Sequence, residues 1–324
     1  MSEKLLDVKN LHVTFETRRG NVRAVNDLSF SLNKGETLGI VGESGSGKSV
    51  SMNAVMGLLR DANAKISGEV FFNGKDLLKQ NDESMRAIRG KDIAMVFQDP
   101  MTALTPVYTV GWHIVEQIRL HTTMSKQEAR ARAIEILDEV GIPDAKSRVD
   151  RYPHEFSGGM RQRAIIAMAL ALNPSLLIAD EPTTALDVTI QAQILDLLKR
   201  LQAQHNSSII IITHDMGVVS EIADEVLVMY AGRPVERASK QALFANPRHP
   251  YTQGLMNSVP RIDRSSSERL QAIPGQPASL LHLPEGCAFS NRCAFAFDAC
   301  KQLPTFNIDA DGHGAACFLE GDRA

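Results

Sequence analysis

The chain has 324 residues, of which 44% are apolar and 23% charged, and its formal net charge is −3. This composition is typical of a globular protein, and so small a net charge does not favour nucleic acid or anionic lipid as a partner. Charged residues interrupt segment 1–8, so we expect neither a signal peptide nor a membrane anchor. The longest apolar run, 164–172, is shorter than the about 20 residues that a membrane span needs. We therefore expect a soluble chain that reaches a membrane only through partner subunits.

The first part of the chain has the pattern of a β structure. Apolar and polar residues alternate at 5–15 and 24–32, which predicts antiparallel strands. Thr37–Val41 then reads as a short buried strand. Residues 69–72 and the turn 73–74 predict a second small β unit.

From about residue 100 to residue 153 the pattern becomes helical, with apolar residues three to four apart at 128–140. Residues 164–172 predict a buried helix. Two fully apolar segments, 176–179 and 209–212, predict parallel strands buried on both faces. Strands that alternate with helices indicate an α/β core.

Residues 42–49 read G-E-S-G-S-G-K-S and match the phosphate-loop pattern G-x-x-x-x-G-K-[ST]. They lie between the predicted strand Thr37–Val41 and a predicted helix at 49–59, so a glycine-rich turn without a ligand is disfavoured. Lys48 can reach the β- and γ-phosphates of ATP, and the Ser49 hydroxyl can bind magnesium. The residues predicted to contact ATP here are Gly42, Glu43, Ser44, Gly45, Ser46, Gly47, Lys48, Ser49 and Val50.

A second strand, 176–179, runs into two carboxylates, Asp180 and Glu181. We expect Asp180 to emerge beside the phosphate loop and to hold magnesium through water. Glu181 is then placed to accept a proton from the water that attacks the γ-phosphate. The alternative is a plain turn that ends a strand, and the phosphate loop in the same chain disfavours it.

Residues 156–163 read F-S-G-G-M-R-Q-R and resemble the LSGGQ signature of ABC ATPases, with Phe156 in place of Leu and Met160 in place of Gln. A hydroxyl and glycine N–H groups at a helix start form a second phosphate cradle. The resemblance implies that Ser157, Gly158 and Gly159 contact the γ-phosphate of an ATP bound to another subunit, in a head-to-tail dimer. The alternative is a glycine-rich cap of the following helix.

Other parts of the same family pattern are present. The resemblance makes Gln98 the glutamine that senses magnesium and nucleotide, and the helical insert after it the contact with membrane subunits. It places Asp187, of the motif 185–187, at the dimer interface and makes His214 the histidine that contacts the γ-phosphate. Phe15 is the candidate to stack on adenine, although an aromatic residue on a strand is more often part of the core.

Three segments, 97–102, 229–233 and 249–252, resemble the peptide-importer branch of the ABC ATPases, as does the cysteine pattern that follows them. One departure is Thr105, where this branch is expected to have Asn. The resemblance implies import of dipeptides or, second, oligopeptides. Glutathione, nickel and antimicrobial peptides are the alternative cargoes.

Beyond about residue 254 prolines and cysteines dominate, and we interpret 255–324 as a small region held together by its cysteines. The four cysteines are Cys287, Cys293, Cys300 and Cys317. A reducing cytosol disfavours disulfides, so the thiols read as four ligands of one centre, either zinc or an iron–sulfur cluster. The uneven gaps and the family resemblance favour a [4Fe–4S] cluster, with Zn²⁺ as the alternative. Since the nucleotide motifs lie far away along the chain, we expect these cysteines to play no part in hydrolysis.

The resemblance implies an ATPase domain at 1–254, a helical subdomain at about 100–160, and the C-terminal region 255–324. The implied partners are a second ATPase subunit, expected to be a paralogue, two membrane permeases and, indirectly, an extracytoplasmic peptide-binding protein. The implied location is the cytoplasmic face of the bacterial inner membrane.

Two other classes of protein are disfavoured. A soluble ABC ATPase of DNA repair or translation would carry coiled coils, zinc modules within its core or two cassettes, and this sequence indicates one cassette. A non-hydrolysing regulatory subunit would have lost Glu181, Lys48 or His214, and all three are intact.

Overall fold

The computed structural model of the protein describes residues 3–60, 63–98, 103–184, 186–258 and 272–319. The strands, in chain order, are β1 (Lys4–Thr17), β2 (Gly20–Asn33), β3 (Thr37–Val41), β4 (Ala64–Phe72), β5 (Lys75–Asp76), β6 (Ile93–Val96), β7 (Leu176–Asp180), β8 (Ser208–Thr213), β9 (Glu225–Tyr230), β10 (Arg233–Ser239), β11 (Asn307–Ile308) and β12 (Gly314–Ala315). The α-helices are α1 (Lys48–Val55), α2 (Asp82–Ile88), α3 (Val110–His121), α4 (Lys126–Glu139), α5 (Ala145–Arg148), α6 (Gly158–Leu170), α7 (Val188–His205), α8 (Met216–Ile222), α9 (Lys240–Ala245) and α10 (Pro250–Asn257). Within the described ranges, no helix is both long and apolar enough to span a bilayer.

The chain forms two compact units. The first comprises Met1–Asn33, Thr37–Lys79 and Ile212–Ala324, and the second comprises Lys34–Glu36 and Gln80–Ile211. Both units therefore contain segments that are distant in sequence.

The first unit contains a four-stranded antiparallel sheet in the order β2-β1-β4-β5. β1 and β2 pair along their whole lengths, from Lys4 opposite Asn33 to Thr17 opposite Gly20. This pairing confirms the strands predicted at 5–15 and 24–32. β4 and β5 flank the turn predicted at 73–74.

The same unit contains part of a mixed sheet. β3 is parallel to β9, from Leu38 opposite Glu225 to Val41 opposite Val228. β10 is antiparallel to β9, and β12 continues the sheet through Glu236 opposite Ala315. β11 pairs in turn with β12. The C-terminal residues thus extend the sheet whose strand β3 leads directly into residues 42–49.

One apolar core joins these strands to the cysteine region. Its buried members include Val41 at the end of β3, Val228 on β9, Tyr251 on α10 and Phe289. Cys287 is partly buried against it. The strand before the phosphate loop and the cysteine region therefore share one hydrophobic core.

The second unit contains the parallel pair β6 and β7, in register from Ile93 opposite Leu176 to Val96 opposite Ala179. Every residue of both strands is buried, as the apolar sequence of β7 predicts. All its described α-helices except α5 begin at side-chain caps. Ser125 and Glu128 form a reciprocal capping box at the start of α4.

Two helix limits differ from those predicted. The helix expected at 49–59 ends at Val55, because Gly57 follows with φ +64° and closes it through a hydrogen bond from its N–H to the Ala54 carbonyl. The helix expected at 164–172 is the latter part of α6, which begins earlier because Ser157 caps it. The elements that were not predicted are β6, β9, β10, β11, β12, α2, α7, α8, α9 and α10.

Candidate functional site

The loop 42–49 has a backbone that side chains at two of its glycines would prevent. Gly42 has φ +154°, and a Cβ built on it would lie 2.2 Å from the Met229 carbonyl oxygen. Gly47 has φ +98°, and its Cβ would lie 2.3 Å from the Ala24 carbonyl oxygen. Because glycine has no side chain, the loop can approach these two carbonyl oxygens closely at both positions and then turn into α1.

Lys48 is the first residue of α1 and is buried, with 6% of its surface exposed. Its Nζ donates to the carbonyl oxygen of Gly42 at 2.6 Å and to that of Glu43 at 3.0 Å. The ammonium is therefore folded back over its own loop. An anion at the loop would meet this charge together with the N-terminus of α1. Ser49, half-buried, is the next residue of the helix.

Glu43 is held by two residues from distant parts of the chain. The Tyr251 hydroxyl oxygen accepts a hydrogen bond from the Glu43 backbone N–H at 2.7 Å. The Glu43 carboxylate accepts two from Arg292, at 2.6 Å from Nη1 and 2.9 Å from Nη2. These bonds raise the pKa of Arg292, and burial raises the pKa of Tyr251, so the first stays charged and the second protonated.

Sequence reasoning missed both partners of Glu43. Tyr251 belongs to the motif 249–252, which indicates the family branch but not a contact with the loop. Arg292 precedes Cys293 and carries no pattern that points to the loop. The one signal in the sequence that could have drawn attention to Arg292 is its position beside a candidate ligand cysteine in a weakly patterned region.

His214 and Phe15 also lie in the first unit. His214 is exposed and follows β8 directly, in a turn where the Asp215 N–H donates to Thr213 Oγ1 at 3.0 Å. Asp215 in turn caps α8. Phe15 is half-buried on β1, opposite Val22 of β2. Its stacking on adenine stays a prediction.

In the second unit, Glu181 and Gln98 are in direct contact. The parallel pair β6 and β7 brings its carboxyl ends to one edge, so residues just beyond the two strands meet. Gln98 Nε2 donates to Glu181 Oε2 at 3.0 Å, and Thr184 Oγ1 donates to the same oxygen at 2.8 Å. Asp180, at the end of β7, is 5% exposed.

The backbone at Glu181 has φ +48°, in the left-handed region that residues other than glycine seldom adopt. Such conformations persist where the surroundings fix them, and they are common at active sites. The left-handed turn and the two hydrogen bonds together fix the orientation of one carboxylate. A carboxylate held in this way can accept a proton from water.

The signature 156–163 starts α6 in the second unit. Ser157 Oγ accepts the Met160 N–H at 3.3 Å, and Ser157 and Gly158 are exposed. Phe156 is 2% exposed, so the ring fills the core where the family pattern has Leu.

Asp187 caps the neighbouring helix α7 through the Ile190 N–H at 3.0 Å. A Cβ on Gly159 would lie 3.0 Å from Ile190 Cγ2, so α6 and α7 approach closely beside the signature. Ala185 of the motif 185–187, and residues 99–102 after Gln98, lie outside the described residues.

Four thiols of the first unit line one cavity, and they belong to Cys287, Cys293, Cys300 and Cys317. The rings of Phe289, Phe295 and Phe318 line it too. Burial raises the pKa of Cys287 and Cys293, and raises the pKa of Cys317 to about 11, with a further contribution from the other three thiols. In the part of the chain that the structure describes, no three His, Cys, Asp or Glu side chains are grouped so as to hold a metal ion.

Comparison with known proteins places this arrangement in a family. The chain is 52% identical over 319 residues to the oligopeptide transport ATP-binding protein OppD of Haemophilus influenzae, covering 98% of each chain. It is also 52% identical over 324 residues to the dipeptide transport ATP-binding protein DppD of Bacillus subtilis, covering 99% of this chain and 96% of that one. The chain belongs to the ATP-binding proteins of peptide ABC transporters.

Family models and solved structures agree with this membership. The ABC transporter family model matches residues 25–184 of this peptide-transporter ATP-binding protein, and that of the oligopeptide/dipeptide transporter C-terminal region matches 235–300. The dimeric bacterial ABC transporter cassette MJ0796 is 29% identical with a TM-score of 0.65, covering 72% of this chain and 98% of that one. The protein thus has the α/β fold of ABC ATPases, and its family consists of ATPases coupled to transport.

Proposed function

We propose that this peptide-transporter ATP-binding protein hydrolyses ATP to drive import of dipeptides, or second of oligopeptides, across the bacterial inner membrane. The observation that carries the catalytic part is the pair of hydrogen bonds that orient Glu181. The cargo rests on the named relatives, and glutathione, nickel and antimicrobial peptides remain the alternatives.

In the proposed reaction, the loop 42–50 and Lys48 bind the triphosphate, and Phe15 stacks on the adenine. Ser49, Asp180 and Gln98 would hold magnesium, which would supply positive charge to neutralise the β- and γ-phosphates. Glu181 takes a proton from the attacking water, and His214 and Lys48 stabilise the charge of the γ-phosphoryl group.

The second half of each site comes from another ATPase subunit in this proposal. Ser157, Gly158 and Gly159 are exposed or half-exposed at the start of α6, a helix of 13 residues, and are suited to contact a γ-phosphate held elsewhere. Asp187 then lies at the subunit interface. The partner ATPase is a paralogue, and a head-to-tail dimer holds two ATPs.

We further propose that the ATPase works at the cytoplasmic face of the membrane, docked through its helical subdomain, about 100–160, to two permease subunits. A peptide-binding protein outside the membrane delivers the cargo and takes part only indirectly. Residues 1–254 form the ATPase domain and 255–324 the C-terminal region in this division, and no nucleic acid is involved.

Four partly buried thiols line one cavity, although no three ligand-type side chains of the described residues are grouped so as to hold a metal ion. The rings of Phe289, Phe295 and Phe318 also lie in its walls. Burial opposes deprotonation of Cys287, Cys293 and Cys317, so a cationic centre is what would stabilise their thiolates. We propose a [4Fe–4S] cluster with a structural role, with Zn²⁺ as the alternative.

The test of cargo uses the transporter reconstituted in vesicles from this chain, its partner ATPase, both permeases and the binding protein. Dipeptides should stimulate ATP hydrolysis and accumulate in the vesicles, while glutathione and Ni²⁺ should do neither. Lys48→Ala should abolish both signals, and Lys199→Ala, a substitution on the exposed face of α7, should leave them unchanged. Stimulation by glutathione or Ni²⁺ alone would contradict the peptide assignment.

A further inference from the structure

Glu43 is an unexpected residue for an anion-binding loop. Its carboxylate lies within the segment proposed to hold a triphosphate, and like charges at close range repel. The carboxylate is 27% exposed, and its two oxygens are both engaged by Arg292. The charge that would oppose ATP is thus neutralised by a residue of the cysteine region.

The Arg292 side chain is buried in the first unit and held there by hydrogen bonds and by contacts with aromatic rings. It is 4% exposed, and its Nε donates to the Pro274 carbonyl oxygen at 2.8 Å. Its guanidinium lies over the rings of Tyr230 and Phe289, at 5.8 and 5.9 Å from their centres. A guanidinium held in this way presents its two-pronged face to Glu43 in one geometry.

The contact continues from Glu43 to the proposed phosphate-binding groups. The carbonyl oxygen of Glu43 accepts a hydrogen bond from Lys48 Nζ at 3.0 Å and one from the Ser46 N–H at 3.2 Å. Tyr251 fixes the N–H of the same residue. Side chain, N–H and carbonyl of Glu43 therefore each have a fixed partner, and the carbonyl orients the lysine.

We propose that Arg292 is a positioning residue of the ATP site, which neutralises and orients Glu43 and thereby couples the cysteine region to the phosphate loop. This inference rests on the proposed role of residues 42–49 as the ATP site. It concerns Arg292 and ATP binding, and so does not bear on the expectation that the four cysteines play no part in hydrolysis.

The test is equilibrium binding of ATP to the full-length chain by titration calorimetry. In Arg292→Gln the Glu43 carboxylate loses its counter-ion, and its uncompensated charge repels the phosphates of ATP and displaces the loop. If about a tenth of the loops keep the binding-competent conformation, the dissociation constant rises about tenfold. Adding Glu43→Gln to Arg292→Gln removes the unneutralised charge and should recover most of that loss.

The matched control is Arg237→Gln. Arg237 also forms an ion pair within the first unit, donating from Nε and Nη2 to one carboxylate oxygen of Glu225. Glu225 lies opposite Leu38 at the start of β3, whereas the phosphate loop follows the other end of that strand. This control should keep the wild-type dissociation constant within about twofold, since it removes a similar ion pair away from the loop.

Two results would overturn the role of Arg292: wild-type affinity in a folded Arg292→Gln, or a double variant that binds as weakly as Arg292→Gln. If Arg292→Gln does not fold, Arg292→Lys replaces it, because one ammonium cannot reproduce both bonds, and wild-type affinity there would equally overturn the role. Lys48→Ala separates the two proposals. If Lys48→Ala binds ATP with wild-type affinity, the ATP site itself is refuted. If Lys48→Ala loses ATP binding while Arg292→Gln keeps wild-type affinity, only the positioning role is refuted.

Discussion

Replacing Glu181 by Gln removes the proposed general base while keeping its shape. The Gln98 amide and the Thr184 hydroxyl donate to the carboxylate at 3.0 and 2.8 Å, and a glutamine oxygen can accept from the same groups. The stability of the protein should therefore change by less than about 1 kcal/mol. General base catalysis contributes typically about 10²–10⁴-fold, so the barrier to hydrolysis should rise by about 3–5.5 kcal/mol.

The assay combines single-turnover phosphate release with equilibrium binding of ATP, each with and without magnesium. Mixed with its partner ATPase subunit, Glu181→Gln should release phosphate at least about 100-fold more slowly, bind ATP normally and accumulate as an ATP-bound dimer on size exclusion. If Glu181 were instead a magnesium ligand, the variant would lose the magnesium-dependent part of ATP binding. Hydrolysis within about threefold of the wild-type rate would refute the assignment of the base.

Two further substitutions make this result specific. Glu181→Ala removes the acceptor from both Gln98 and Thr184, so it should also lower the free energy of unfolding, by about 1–2 kcal/mol. Glu135→Gln removes a carboxylate whose side chain is 64% exposed on α4, and it should change neither hydrolysis nor binding.

Three other predictions concern the signature, the cysteines and a buried histidine. The isolated chain should hydrolyse ATP slowly, with a rate per chain that rises when the partner ATPase subunit is added, and Ser157→Ala should lower turnover but not ATP binding; full activity in a demonstrated monomer would contradict a shared site. Protein purified without oxygen should be brown with about four irons per chain, and iron chelation should bleach it, whereas a colourless protein with one zinc would favour the zinc alternative. Burial lowers the pKa of His249 to about 4, below the 6.5 of a free histidine, so stability present above pH 6.5 should be lost as the pH falls toward 4. His249→Asn keeps a good cap for α10. In urea unfolding, the free energy of unfolding of this variant should fall by about 2 kcal/mol less than that of the wild type between pH 7 and pH 5. An unchanged pH dependence would contradict the buried neutral state.

The sequence predicted those parts of the fold in which one local pattern decides the structure. β3 and β7 are apolar segments that end in loops, and α4 has a strong helical period and a capping box. β6 was not predicted because it has only four residues, all buried. An apolar run of that length does not distinguish a strand from part of a helix.

In the candidate site too, the sequence predicts the residues that belong to local motifs and does not predict those that tertiary packing brings in. Lys48 and Glu181 were predicted because motifs fix their chemistry and their spacing. Arg292 was not, because its partner Glu43 is specified by tertiary packing of a region with little periodicity. The left-handed backbone at Glu181 was equally hidden, since no glycine or asparagine marks the position.

The contact between Arg292 and Glu43 also has a consequence for the order of events on the ribosome. The two residues are 249 positions apart, and synthesis proceeds at about 5–20 residues per second, so Arg292 is made roughly 12–50 s after the phosphate loop. During that interval the loop carries an unneutralised carboxylate and lacks its support. On the proposed role of Arg292, the loop binds nucleotide more weakly until the C-terminal segment has been translated and folded back. A prematurely terminated chain would hold all the upstream motifs and yet compete poorly with finished subunits for ATP.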